Sequence, residues 1–399
     1  MIDLKAARAD PDRFRTALAR KGAAEVFDAM LAADENWRAL VPKVDELRAK
    51  QNIKGKPSPE QLEELGRIKE ELRALEEQLT AAEGERDRLA LRVPNLPHES
   101  IPDGSTEDDV EELRRVGDPP KLENPKEHTE IGRFDLERAA RVSGARFGYW
   151  IGDTAMLTLA LYRFALDRLV AKGFTAVLPP VLVREEALIG TGAFPTDEAN
   201  VYELPADELF LAGTAEIPLA SLHGGEILTA EELPLRYVAF SPCFRREAGA
   251  AGRDTRGMIR VHQFNKVEQF SFTRPEDSWD ELELLLSNTE ELVHELGLAY
   301  RIVVLPAGDI AVQAAKTYDV EVWFPTQERY REAASISNTT DFQARRVVTR
   351  YRDERGPEYV HMLNGTAVVD RMSLAILENF QGEVPDVLRE FGAPARVST

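Results

Sequence analysis

Two apolar stripes near the start constrain the fold more than any other feature of the sequence. Ala33, Trp37, Leu40, Val44, Leu47 and Gln51 recur at alternating steps of four and three. Ile68, Leu72, Leu75, Leu79, Ala82 and Leu89 continue the same 3.5-residue rhythm. KGKPSP (54–59) between them reads as a turn. Ser58 followed by Gln61, with Pro59 at the first helical position, is the signature of a capping box opening a second helix. The stripes most simply close on each other as an antiparallel hairpin over about 28–92, each helix of about 30 residues reaching ~45 Å. Pro42 lies inside the first stripe, off the seam, and is expected to kink that helix or interrupt its ladder. A hairpin of this kind serves either as a dimerisation coil or as a probe for another molecule. Its mixed charges do not choose between the two.

The Pro-, Asp- and Ser-rich stretch VPNLPHESIPDGSTEDD marks a boundary near residue 105, dividing 1–105 from 106–399. Beyond it the pattern is mixed. LTLALYRFALDRLVAKG (157–173) and MSLAILENFQ (372–381) read as helices. VAFSPCF, IRVHQFNKVEQFSF, YRIVVLP, TYDVEVWFP and EYVHMLNG read as strands. Strands joined by loops rather than by regular helical crossovers favour an α+β domain, an antiparallel sheet with helices against it. No P-loop and no GxGxxG opening a helix is present, so a nucleotide site here is neither P-loop nor Rossmann.

Composition narrows the function classes. Of 399 residues, 43% are hydrophobic, enough for one large core plus a smaller unit, and no run approaches the ~18 apolar residues of a membrane span. One cysteine, Cys243, excludes an internal disulfide and argues for a reducing cytosol. The six histidines (His98, His128, His223, His262, His294 and His361) have no partners at zinc-ligand spacing. A net charge of −20 argues against a general polyanion binder, while leaving room for local contacts within a Debye length of ~10 Å.

Four stretches carry the chemistry. TAE at 214–216 offers a hydroxyl and a carboxylate. FRREAGAAGRDTRGMIRVHQFNKVE (244–268) places Arg245, Arg246 and Glu247 at one end and Phe264 and Glu268 at the other. YREAAS (330–335) offers Glu332 and Ser335, and MLNGTAVVDR (362–371) offers Asn364, Thr366 and Arg371. Fixed positive charge opposite carboxylates suits a ligand with an anionic group to clamp and a cationic or hydroxyl group to hold. An amino acid being joined to ATP is such a ligand.

In this order the stretches resemble the signature motifs of class II aminoacyl-tRNA synthetases, and within them the seryl-tRNA synthetase family. The second motif of that family looks like 244–268 almost residue for residue, KTYDVEVW and SNTTDFQARR fall in family order, and FTAVLPPVLV (174–183) resembles the first motif, a resemblance that implies Pro180 at a dimer interface. The resemblance covers essentially the whole chain and implies a six-stranded antiparallel sheet flanked by helices, a homodimer, cytoplasmic location, and a tRNA-binding role for the hairpin. It implies a serine–tRNA ligase that makes seryl-adenylate from L-serine and ATP and charges tRNA(Ser), with an expected capacity for tRNA(Sec) where the host has one. Serine would be held by Thr214, Ala215, Glu216, Arg245, Glu268, Asn364 and Thr366. ATP would meet Arg245, Arg246, Glu247, Val261, Phe264, Glu332, Ala333, Ala334, Ser335 and Arg371, with Mg²⁺ on Glu332 and Ser335. A paralogue serving a non-translational acceptor, and a degenerate non-catalytic binding protein, are the alternative readings. The chain departs from the family pattern in a third motif one residue shorter between Thr366 and Arg371, with Asp370 before the arginine, and in EAAS and GDIAVQAAKTYD.

Overall fold

The computed structural model describes residues 1–52, 58–249 and 257–398. It divides into two compact units, 1–96 and 97–399. The division precedes the expected boundary at 105 because Ile101 is buried in the core of the second unit.

In the first unit, two short helices precede α1 (Ala24–Gln51) and α2 (Pro59–Ala90). The seam between α1 and α2 is the one written in the heptads. Val44, Leu47 and Leu72 are buried and Ile68, Leu75 and Leu79 pack on them, each fully buried apolar side chain contributing about 1.5–3 kcal/mol. The capping box at α2 is present in both directions: Gln61 N–H donates to Ser58 Oγ at 3.2 Å and Ser58 N–H to Gln61 Oε1 at 2.7 Å. The turn at 53–57 lies outside the described residues. α1 runs on through Pro42 rather than breaking there, and the proline costs it one N–H. At the end of the seam away from the 53–57 turn Trp37 is capped by Arg86, whose guanidinium carbon lies 4.1 Å from the ring centroid.

The second unit is built on one large sheet. Its strands in chain order are β1 (Glu111–Val116), β2 (Thr175–Val177), β3 (Leu235–Phe244), β4 (Gln263–Thr273), β5 (Tyr300–Val304), β6 (Lys316–Phe324), β7 (Arg329–Asn338) and β8 (His361–Val369). They lie in the order β1-β5-β6-β7-β8-β4-β3-β2, and every neighbouring pair is antiparallel except β2 with β3. The sheet therefore has eight strands rather than six. The extra two are its edges: β1 (EELRRV) is almost wholly exposed and carries no apolar alternation, and β2 has three residues. Helices α3 (Asp153–Ala171), α4 (Ser278–Glu295) and α5 (Asp370–Phe380) pack against the sheet through Leu157, Leu161, Leu282, Leu285, Leu374 and Leu377, which share one core with Val267, Val320 and Val322.

Two bulges break the alternation of the central strands. Between β6 and β7, Glu321 is opposite Glu332 but Val320 is opposite Ala334, so Ala333 is extra. Between β4 and β8, Glu268 is opposite Thr366 but Val267 is opposite Val368, so Ala367 is extra. Each extra residue flips the facing of everything after it.

Candidate active site

A cavity of about 330 Å³ opens on the central strands. Strand alternation delivers Phe264, Lys266 and Glu268 from β4 and Asn364 and Thr366 from β8. On a regular β7, Glu332 and Ser335 would face opposite sides. The bulge at Ala333 lets both line the cavity. The bulge at Ala367 does the same for Val369 after Thr366, and leads into α5, whose first turn presents Arg371. Thr214 and Glu216 enter from a short helix start, where Thr214 Oγ1 accepts from the Glu216 N–H at 3.2 Å. Arg245 and Glu247 come from the end of β3, and Met258, Ile259, Arg260 and Val261 from the approach to β4.

One end of the cavity is a network of buried charge. Lys266 Nζ donates to Thr214 Oγ1 at 2.8 Å and forms an ion pair with Glu268, and Thr214 Oγ1 donates to Glu268 Oε2 at 3.1 Å. Glu216 is nearly buried. Its Oε1 accepts from Gln343 Nε2 at 2.7 Å, Asn364 Nδ2 at 3.1 Å and Gln313 Nε2 at 3.3 Å. Burial holds the Glu216 carboxyl above the usual carboxylate range, and the charge of Glu268 adds to the shift.

The other end is cationic and aromatic. Arg245 Nε donates to the Gly213 carbonyl at 3.2 Å, and its guanidinium carbon lies 5.3 Å from the Phe264 ring centroid. Glu247 sits at a left-handed φ of 51° and accepts from Arg260 Nη1 at 2.5 Å. Arg371 donates to the Glu332 carbonyl and lies 3.7 Å from its carboxylate. Below them Ser335 Oγ donates to Asp319 Oδ1 at 2.5 Å. Burial pushes the Asp319 carboxyl well above its usual range, and the neighbouring Glu332 adds to this.

Most of the residues singled out in the sequence converge on this cavity, and three do not line it. Ala215 is buried beneath it at the helix start. Ala334 follows the bulge and points to the other side of β7, buried in the core. Arg246 turns outward, its guanidinium carbon 6.0 Å from the Tyr202 ring centroid. The 250–256 part of the Gly- and Arg-rich loop lies outside the described residues. Lys266, Gln313, Gln343 and Asp319 also take part in the contacts of the site. Lys266 was signalled by its position midway between Phe264 and Glu268 on one strand face. Gln313 lies inside GDIAVQAAKTYD and Gln343 inside SNTTDFQARR, but no local spacing points either of them at Glu216, which they reach across 97 and 127 residues of chain.

An antiparallel sheet whose middle strands carry an arginine, an aromatic ring and a carboxylate into one cavity defines the core of a class II aminoacyl-tRNA synthetase. Residues 201–380 match the model of the tRNA synthetase class II core domain (G, H, P, S and T), and residues 1–97 that of the seryl-tRNA synthetase N-terminal domain. The chain is 44% identical to a serine–tRNA ligase of Thermobifida fusca over 98% of this chain and 97% of that one. It is 41% identical to the Thermodesulfovibrio yellowstonii enzyme over 98% of both. The seryl-tRNA synthetase of Pyrococcus horikoshii, solved with ATP, superposes with a TM-score of 0.92 at 39% identity, covering 100% of this chain and 99% of that one. The chain belongs to the seryl-tRNA synthetase family.

Proposed function

We propose that this protein activates L-serine with ATP and transfers the seryl group to the 3′ end of tRNA(Ser). The observation that carries this reading is the polarity of the cavity: a carboxylate-rich end at Glu216 and Glu268 faces a guanidinium-rich end at Arg245 and Arg371. A serine ammonium fits the first end and an ATP triphosphate the second. Glu268 and Thr366, register partners across β4 and β8, take the serine hydroxyl, and Asn364 steadies Glu216 beside it. Phe264 supplies a face for the adenine ring, Val261 lines its edge, and Glu247 accepts from its amino group.

In the first step the serine carboxylate attacks the α-phosphorus. The new C–O–P bond forms as the bond to the β-phosphate oxygen breaks, and pyrophosphate leaves. The nucleophile is already ionised, so the protein's contribution is positioning and charge stabilisation. Arg245 neutralises the carboxylate and the charge developing on the α-phosphate, and a guanidinium fork suits both. In the second step the terminal ribose hydroxyl attacks the seryl carbonyl and AMP leaves.

The donor set of Glu332 and Ser335, hard oxygens that both line the cavity, fits a divalent cation of the size of Mg²⁺. When bound there, such an ion supplies charge neutralisation across the phosphates.

The long hairpin of α1 and α2 is the part that contacts tRNA. A second copy of the chain is the occupant for the apolar surface of Met156, Leu159 and Val170 on α3 and of Leu178, which are 46, 56, 46 and 82% exposed. Among the described residues no helix is long and apolar enough to cross a membrane. Serine-dependent ATP–pyrophosphate exchange, followed by charging of tRNA(Ser), tests the reading. Exchange without serine dependence would overturn it.

A further inference from the structure

The nucleotide end of the cavity is held from behind by a buried pair that the chemistry does not touch. His128, on a one-turn helix (His128–Ile131), is 2% exposed, and the side chain of Glu378 on α5 is fully buried. His128 Nδ1 lies 2.7 Å from Glu378 Oε1, which also accepts from the His128 N–H at 3.3 Å, and Thr326 Oγ1 donates to Glu378 Oε2 at 2.5 Å. On the far side of the ring, the Met258 N–H donates to His128 Nε2 at 3.1 Å. A nitrogen that accepts from a backbone N–H carries no proton, so the one ring proton sits on Nδ1 and points at Glu378. The carboxylate sets the tautomer, and the tautomer creates the acceptor for Met258, the same logic by which a carboxylate orients an imidazole in metal and catalytic sites.

Met258 opens the run of four residues, 258–261, that lines the cavity, and Arg260 in that run binds Glu247. Gly257, at φ 69°, passes so close to the ring that a Cβ would lie 2.5 Å from Nε2. Glu378 sits two turns along the helix that starts with Asp370 and Arg371. The pair therefore joins 258–261 to the helix whose first turn carries Arg371, and both line the cavity.

We infer that His128 and Glu378 are positioning residues for the nucleotide, fixing residues 258–261 relative to Arg371 through a single neutral tautomer. This rests on the ATP-dependent reading of the cavity, yet its tests use ATP binding and the ring itself rather than turnover. His128→Asn keeps a donor at the place of Nδ1 for Glu378 but cannot reach Met258, whereas the longer His128→Gln places an amide oxygen within reach of that N–H. Loss of one such hydrogen bond is expected to weaken ATP binding about five- to tenfold in His128→Asn, measured by titration calorimetry, with serine affinity unchanged and His128→Gln recovering most of the loss. An ATP affinity in His128→Asn equal to that of the parent, with only the melting temperature lowered, would make the pair merely structural and overturn the inference. The unmodified protein provides a check that does not depend on a variant folding. In a ¹⁵N-histidine-labelled sample the His128 resonances should show a protonated Nδ1 and an unprotonated Nε2, and the opposite tautomer or a charged ring would contradict the proposal.

Discussion

Lys266 and Glu268, two residues apart on one face of β4, form a buried ion pair at the end of the cavity proposed for serine; their side chains are 9% and 2% exposed. A carboxylate in such a place is costly without a cation. Lys266 supplies that positive charge.

This gives the first prediction. Lys266→Met strands Glu268 and should destabilise the protein by about 3 kcal/mol or more. Serine should then raise the melting temperature more in the variant than in the parent, because its ammonium replaces the missing cation. A smaller serine shift in the variant would separate Lys266 from the ammonium site.

Arg245 is the clamp of the proposed adenylation step. Arg245→Ala should lower pyrophosphate exchange ~10²-fold or more, and Arg245→Lys should recover it only in part, since a point charge does not reproduce a bidentate fork. Near-normal exchange in the alanine variant would remove Arg245 from the reacting centre.

Asp370 gives stability a pH dependence. Burial pushes its carboxyl from the ordinary 3.8 up to about 7, while Tyr162 and Asn265 hydrogen-bond to it. Between about pH 4 and 7 the folded carboxyl still holds a proton that the unfolded chain has released. Its contribution is therefore fully present below pH 4 and is lost as pH rises through 7. Asp370→Asn, which does not titrate, should melt at a temperature that gains on the parent from pH 4 to 7 and levels off above. Melting curves across that range check the sign. A gain on acidification instead would mean that Asp370 is ionised in the native state.

The hairpin separates the two half-reactions. Replacing α1 and α2 with a short Gly-Ser linker should leave pyrophosphate exchange nearly intact and collapse tRNA charging, because the acceptor end is no longer delivered. Full charging by the shortened protein would make the arm a dimerisation or partner-binding coil.

The elements readable in the sequence were those with a strong local signal. The heptads of α1 and α2 and the Ser58 capping box are self-contained patterns, and the apolar alternation of β3 to β6 survives because one face of each strand meets the helices. β7 escaped as a strand because EAASISN is small and polar and the bulge at Ala333 breaks its period. β1 and β2 escaped because an edge strand with one partner has little need of apolar alternation. At the site, motif residues on single strands were legible, while Gln313, Gln343 and Asp319 act through contacts between distant segments that no local spacing records. Asp319 meets Ser335 only because β6 and β7 pair in this register.

The most direct test of the central claim is kcat/KM for pyrophosphate exchange with serine, alanine and threonine. A cavity whose Glu268 and Thr366 are arranged around a hydroxyl should prefer serine over alanine by ~10⁴, because alanine leaves buried polar groups unpaired, and should exclude threonine less completely, by its extra methyl alone. Alanine activated within tenfold of serine would contradict the account.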